Sequence, residues 1–423
     1  MSLIALPFEL AEIIVDALWL SYADCPGQKD PFSSLASTWR PALPRIRHHR
    51  FSHIILYSAS SNVVAKLAAI APAIHSVVRA LEFVDANAVV GRWPESREAM
   101  SHVLTHTELP NTLALFRNLE RLVLFGLLQG SMPTAVMTAC SAFPRLTDVE
   151  LANVEVEELG ALDGLIRAFP NVEVLSIYAL EVSTLRNGPQ DPRIGPDAEA
   201  APTTAALGSF PLVRALKLNP HTPGDDALLD LLASKHNPFT GLRSLTIDSQ
   251  YHVIPFRTVY DTLRHCTGLT HLVLDRIYHT DEPGTQLTFP RHLKSLQIRI
   301  KLTHVDLDDD ALILLKQYTR ALQMLAAETE SSPVPTGLQL SVVMGIGRRW
   351  SIDQHDELCD AIADLDTVLA HPSLVGSLQW TIYTRYRDTQ KDMEAWLWRK
   401  FPKVRREFFD GEKKRRGTVK WVS

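Results

Sequence analysis

Large apolar residues recur at three- and four-residue steps near the start of the chain, at Leu6, Leu10, Ile13 or Ile14, Ala17 and Leu18. That spacing predicts one face of an amphipathic helix. Glu9, Glu12 and Asp16 fall on the other side, and acids near a helix start favour the helix dipole. Pro7 suits the first turn, where its missing N–H has no partner to lose. The period stops at SYADCPGQKDP, with Pro26, Gly27 and Pro31. A second helical stretch, PFSSLASTWRPAL, brings Phe32, Leu35 and Trp39 to one face before Pro41 and Pro44 interrupt it. In RIRHHRFSHIILY the β-branched end predicts the first strand, and the residues flanking HHRFSH (48–53) favour strand there too.

Further on, one phrase repeats: FRNLERLVL (116–124), FPRLTDVEL (143–151), FPNVEVLSI (169–177), FPLVRALKL (210–218), FTGLRSLTI (239–247) and CTGLTHLVL (266–274). FPRHLKSLQI (289–298) carries it with one extra residue, HPSLVGSLQW (371–380) echoes it, and IHSVVRALEF (74–83) reads as a degenerate first copy. The anchors Leu119, Leu146, Val172, Val213, Leu242, Leu269 and Leu293 are separated by 27, 26, 41, 29, 27 and 24 residues. Leucine-rich repeats run about 20–29 residues around an LxxLxL core, each a strand followed by a helix. The long interval contains residues 184–207, rich in Pro, Gly and Ala, which read as a mobile surface insertion. Helical segments such as LGALDGLIRA, DDALLDLLASK and FRTVYDTLRHC precede the phrases. A doubly wound sheet of unrelated strands would not repeat one phrase at one period.

After Ile300 the period fails. DLDDDALILLKQYTRALQMLAAE reads as a long amphipathic helix, LQLSVVMG as a strand and DQHDELCDAIADLDTVLA as another helix, larger units that would close the open end. Within each phrase LxL alternates, so Leu122 and Leu124 are expected in the core, with Arg121, Val123 and Phe125 facing away. By the same alternation Arg121, Phe125, Glu150, Tyr178, Lys217, Asp248, His271, Asp275 and Arg299 form the expected substrate-binding face, with Phe125 and Tyr178 as exposed aromatics. From Arg399 to Ser423 ten Lys or Arg stand against three acids, and FFDGEKKRRGTVKW reads as a hairpin with Lys413 to Arg416 in its turn. Such a cluster suits a solvated turn first and a nuclear or nucleic-acid patch second.

Composition narrows the classes. Apolar content of 46%, charged content of 22% and a net charge of −5 are ordinary for a globular protein and give no global case for nucleic acid. The front stripe, broken by acids and lacking a basic lead, does not read as a signal peptide, and no run reads as long enough to span a membrane. Cys25, Cys140, Cys266 and Cys359 are too scattered for a zinc knuckle or a CxxC pair, and read as reduced core thiols of a cytoplasmic or nuclear protein. No GxSxG, HExxH, P-loop or GxGxxG motif is present, and His49 with His53 lacks a third ligand, so no enzyme, cofactor or metal is expected.

Fifty residues in short helices bury little surface alone, so the front stripe must be covered by the domain behind it or by a partner. Leu6, Pro7, Glu9, Leu10, Ile13, Ile14, Leu18, Leu35 and Trp39, with Phe51 ahead of the first strand, resemble the F-box pattern, although Ala36 stands where that family often has cysteine. An F-box joined to degenerate repeats is similar to the F-box proteins common in mushroom-forming fungi. The resemblance implies an α/β fold: a helical F-box (1–55), then a curved leucine-rich-repeat solenoid with a parallel sheet on its concave face (56–300). Residues 301–423 would supply C-terminal repeats, an atypical α/β cap and the basic tail. It also implies a Skp-type adaptor, bound through Leu6, Pro7, Leu10, Ile13, Ile14, Leu18, Leu35 and Trp39, within a cullin–RING ubiquitin ligase. The repeats would then choose a protein substrate. The alternatives are a repeat scaffold whose front is only an internal cap, and a nuclear nucleic-acid binder working through the tail.

Overall fold

The computed structural model describes residues 8–23, 32–57, 62–70, 72–84, 100–128, 133–183, 208–219, 222–234, 237–248, 256–275, 287–302, 309–330, 338–346, 356–371, 374–384, 390–410 and 417–422. Leu6, Pro7, Cys25, the insertion at 184–207 and the Lys413–Arg416 cluster therefore lie outside the described residues. The chain divides into two compact units: Met1–Glu155 with Gly164–Val172, and Val156–Asp163 with Glu173–Ser423.

The first unit begins with helices α1 (Phe8–Ala23), α2 (Phe32–Thr38) and α3 (Leu43–Phe51). Four parallel strands follow in chain order, β1 (His53–Tyr57), β2 (Ala80–Val84), β3 (Arg121–Leu128) and β4 (Asp148–Val156). Helix α3 corrects one expectation. The helix continues through His49 to Phe51, and the strand starts only at His53. Arg45 and His49, four residues apart, need the helical step to reach Asp16 together, and Ile46 between them is buried.

The second unit holds eight parallel strands, again in chain order. They are β5 (Val174–Val182), β6 (Ala215–Asn219), β7 (Ser244–Asp248), β8 (His271–Asp275), β9 (Ser295–Leu302), β10 (Leu338–Ile346), β11 (Val375–Thr384) and β12 (Gly417–Val422). Helices such as Pro223–Leu232, Phe256–His265, Asp309–Glu330 and Asp356–Leu369 precede or separate them. Register lines up Leu175, Leu216, Leu245, Leu272, Leu296, Leu340 and Leu378 in one row, all buried. A leucine at one position of every phrase is what a parallel ladder with helices on one side requires.

The turn ahead of each strand explains the rest of the phrase. The anchor N–H donates to the carbonyl three residues back in Phe116/Leu119, Phe169/Val172, Phe210/Val213, Phe239/Leu242 and Cys266/Leu269. Proline at the next position fits such a turn, since its ring fixes the required φ. The following residue's carbonyl then accepts two N–H groups from the next repeat, as Glu173 does from Arg214 and Ala215, and Arg214 from Arg243 and Ser244. Strand, turn and stacking thus recur as leucine-rich repeats do.

Two departures from simple alternation are structural. Gly126 in β3 and Asn153 in β4 have positive φ (83° and 53°), and Ala179 in β5 does likewise at 51°. Around each of them the inward–outward alternation of the strand switches, while β3 and β4 keep one register on both sides, Phe125 beside Ala152 and Leu127 beside Val154. In β4 the core positions change from Val149 and Leu151 to Val154 and Val156. At the tail, the expected hairpin is not formed. Phe401, Val404 and Phe408 are buried at helical spacing, Arg405–Phe409 is a helical turn, and β12 pairs parallel to β11. The 3–4 spacing of those apolar residues, masked in sequence by the flanking bases, decides the matter.

Candidate protein-docking surfaces

Helix α1 is apolar on two sides. Val15 is fully buried with Phe32, Ala42 and Ile46, and Leu18, Leu35, Ala36 and Trp39 pack partly against that cluster. Leu10, Ile13 and Ile14 instead face solvent, at 46%, 61% and 40% exposure. Sequence spacing merges Leu18 with this stripe, but the structure turns Leu18 toward the inner side beside Val15. Val15 lies roughly opposite Leu10 and Ile13 on the helical wheel, and only the partner helices reveal it as the anchor.

The acidic edge between the two faces is clamped. Asp16 accepts hydrogen bonds from Arg45 Nε at 2.6 Å and Arg45 Nη2 at 2.9 Å, and lies 2.7 Å from His49 Nε2. The Arg45 hydrogen bond, aided by His49, holds the Asp16 carboxyl at about 2 against the opposing pull of burial. Phe32 stacks under His49, joining α2 to α3. The clamp fixes how α1 is held, and with it how the Leu10–Ile13–Ile14 face is presented.

On the first unit's sheet, Arg121, Phe125 and Glu150 do share the face turned from the core. Arg121 donates to Glu150 at 2.8 Å and lies 3.8 Å from Asp148. Burial alone would lower the guanidinium; the Glu150 hydrogen bond and the nearby acids raise it above its ordinary value. Phe125 is half-buried, and Val123 is buried although its side chain is on the outward row. On the second unit's sheet, Lys217 and His271 are exposed, while Tyr178 and Asp248 are half-buried. Asp275 is buried and pairs with Arg299 at 2.8 Å, so this pair ties β8 to β9. The expectation of exposed aromatics at Phe125 and Tyr178 is thus corrected: both stand next to a positive-φ residue, where the alternation of the strand switches.

Two exposed side chains on the outward face of the first unit's sheet had no phrase to mark them. Ile55 and Tyr57 of β1 are 46% and 56% exposed, in a strand that lacks the FPxL turn. Their alternation in HIILY was the available signal.

Cys140 and Cys266 are buried free thiols, which burial pushes up to about 12 and about 11, and Cys359 is half-buried. Among the described residues, no three His, Cys, Asp or Glu side chains group so as to hold a metal ion. No helix among them is long and apolar enough to cross a membrane.

No family model and no curated protein matches the chain. Among solved structures it is similar to human 5T4 (trophoblast glycoprotein), with 18% identity over 61% of this chain and 78% of that one and a TM-score of 0.34. It is also similar to a leucine-rich-repeat protein of Leptospira interrogans, with 14% identity over 67% of this chain and 66% of that one and a TM-score of 0.23.

Proposed function

We propose that the chain is the substrate-recognition subunit of a cullin–RING ubiquitin ligase, an F-box protein that binds a Skp-type adaptor through α1–α3 and a protein substrate through its repeats. The observation that carries this reading is the outward Leu10–Ile13–Ile14 face of α1. An internal cap would bury that face against its own chain, whereas here the helix is anchored inward through Val15 and Leu18, and Leu10, Ile13 and Ile14 remain largely in solvent. Burying a large aliphatic side chain contributes about 1.5–3 kcal/mol, so three half-exposed ones offer a partner several kcal/mol. Leu35 and Trp39 border the inner cluster and would support the docking surface.

In this role the chain carries no catalytic group. It raises the effective concentration of an acceptor lysine near the conjugating enzyme that other subunits hold. Co-expression with a Skp-type adaptor and size-exclusion chromatography test the reading. The wild type is expected to co-elute with the adaptor. A Leu10→Asp, Ile14→Asp double mutant, folded by circular dichroism, is expected to elute alone. A folded wild type that elutes without the adaptor would leave a repeat scaffold with an unattached front module.

A further inference from the structure

Alternation sends every second side chain of β1–β4 away from the helices, and parallel register sorts these into rows. One row is His53, Ala80, Arg121 and Asp148; the next is Ile55, Glu82, Val123 and Glu150. In the third, Tyr57 stands beside Val84 and Phe125 beside Ala152. The charges on this face do not balance. Among the described residues of these rows, Glu82, Asp148 and Glu150 face one guanidinium, that of Arg121, while His53 lies 2.9 Å from Glu82. These carboxylates outnumber the guanidinium around an apolar patch led by the exposed Ile55 and Tyr57. Among the described residues β1 pairs with β2 alone, so the patch stands at the end of its sheet.

We infer that this face docks a basic, extended segment of a partner protein, with a Lys or Arg beside an aromatic or branched apolar residue. The apolar side chain packs on Ile55 and Tyr57, and the cation joins Arg121 and His53 over the carboxylates of Glu82 and Glu150. An acidic segment or a nucleic-acid phosphate would add like charge to carboxylates that are already mostly covered, at 17% and 22% side-chain exposure for Glu82 and Glu150. A second copy of the chain across a twofold axis would set the same surplus of acids against itself. The inference rests on the reading of the repeats as a substrate surface, and gives that substrate a chemistry.

Random peptides displayed on phage, selected on the full-length chain, test it. Selected peptides are expected to be enriched in Lys or Arg next to Leu, Ile, Phe or Tyr. The best of them should lose at least about tenfold in affinity with an Ile55→Ser, Tyr57→Ser variant, and likewise with Glu82→Gln, Glu150→Gln. Its binding should also weaken as salt is raised. No enrichment, enrichment without basic residues, or affinities indifferent to both folded variants would overturn the inference, as would dimerisation that the Ile55→Ser, Tyr57→Ser change abolishes. Adaptor co-elution of the same variants separates the two readings. Retained adaptor with no peptide selection removes this surface alone. Selection by a chain that ignores the adaptor removes the ligase role alone.

Discussion

Asp16 shows how a single side chain governs a surface it does not itself form. Its carboxyl is held near 2, from an ordinary 3.8, chiefly by the Arg45 hydrogen bond. A carboxyl depressed on folding contributes stability that is fully present above its unfolded value and lost as pH falls through the folded one. The helical front module should therefore loosen between about pH 4 and about pH 2. Circular dichroism during acid titration is expected to show this transition in the wild type and a shallower one in Asp16→Asn. Gly224 gives a second test at this scale. A Cβ there would stand 2.2 Å from the Leu180 carbonyl oxygen, at the point where Thr222 and Asp225 cap the helix and Asp225 also accepts the Leu180 N–H at 2.9 Å. Gly224→Ala is expected to destabilise by about 1–3 kcal/mol. Gly164→Ala, in the helix Ala161–Arg167 with nothing within 4 Å, should stabilise by up to about 1 kcal/mol. Thermal melts that rank the two the other way would refute this account of the cap.

At the scale of the element, α1 behaves as a helix with one face spent and one free. Leu10→Ser and Ile13→Ser should change folding stability by no more than about 0.5 kcal/mol, whereas Val15→Ala should cost about 2 kcal/mol. Urea unfolding of the three variants checks the difference, and equal costs would return the outward face to an internal role. The helix itself was legible from the spacing of Leu10, Ile13 and Ile14 against Glu9, Glu12 and Asp16. Its inner side was not, because Val15 acquires meaning only from Phe32 and Ile46, brought near by tertiary packing. The tail failed for a related reason: Phe401, Val404 and Phe408 carry a helical period, but the basic run and the glycine after it resemble a hairpin turn.

Across the whole molecule, repetition made the strands readable. A phrase whose Phe, Pro, anchor and leucines each meet a separate demand of turn, stack and core fixes strand position within a residue or so. The same copies say little about the face they present, because outward positions answer to no shared structural demand. Gly126, Asn153 and Ala179 switch the alternation of their strands without any repeated residue type to announce it. Ile55 and Tyr57 sit on a strand with no phrase at all. The account as a whole stands on the exposed face of α1. Calorimetric titration of the purified chain with a Skp-type adaptor tests it most directly. Burial of Leu10, Ile13 and Ile14 should give a saturable complex with a negative heat-capacity change, weakened at least about a hundredfold in the Leu10→Asp, Ile14→Asp variant. A folded wild type that gives no heat of binding at any temperature tried and does not co-elute with the adaptor, or a double mutant that binds equally well, would contradict it.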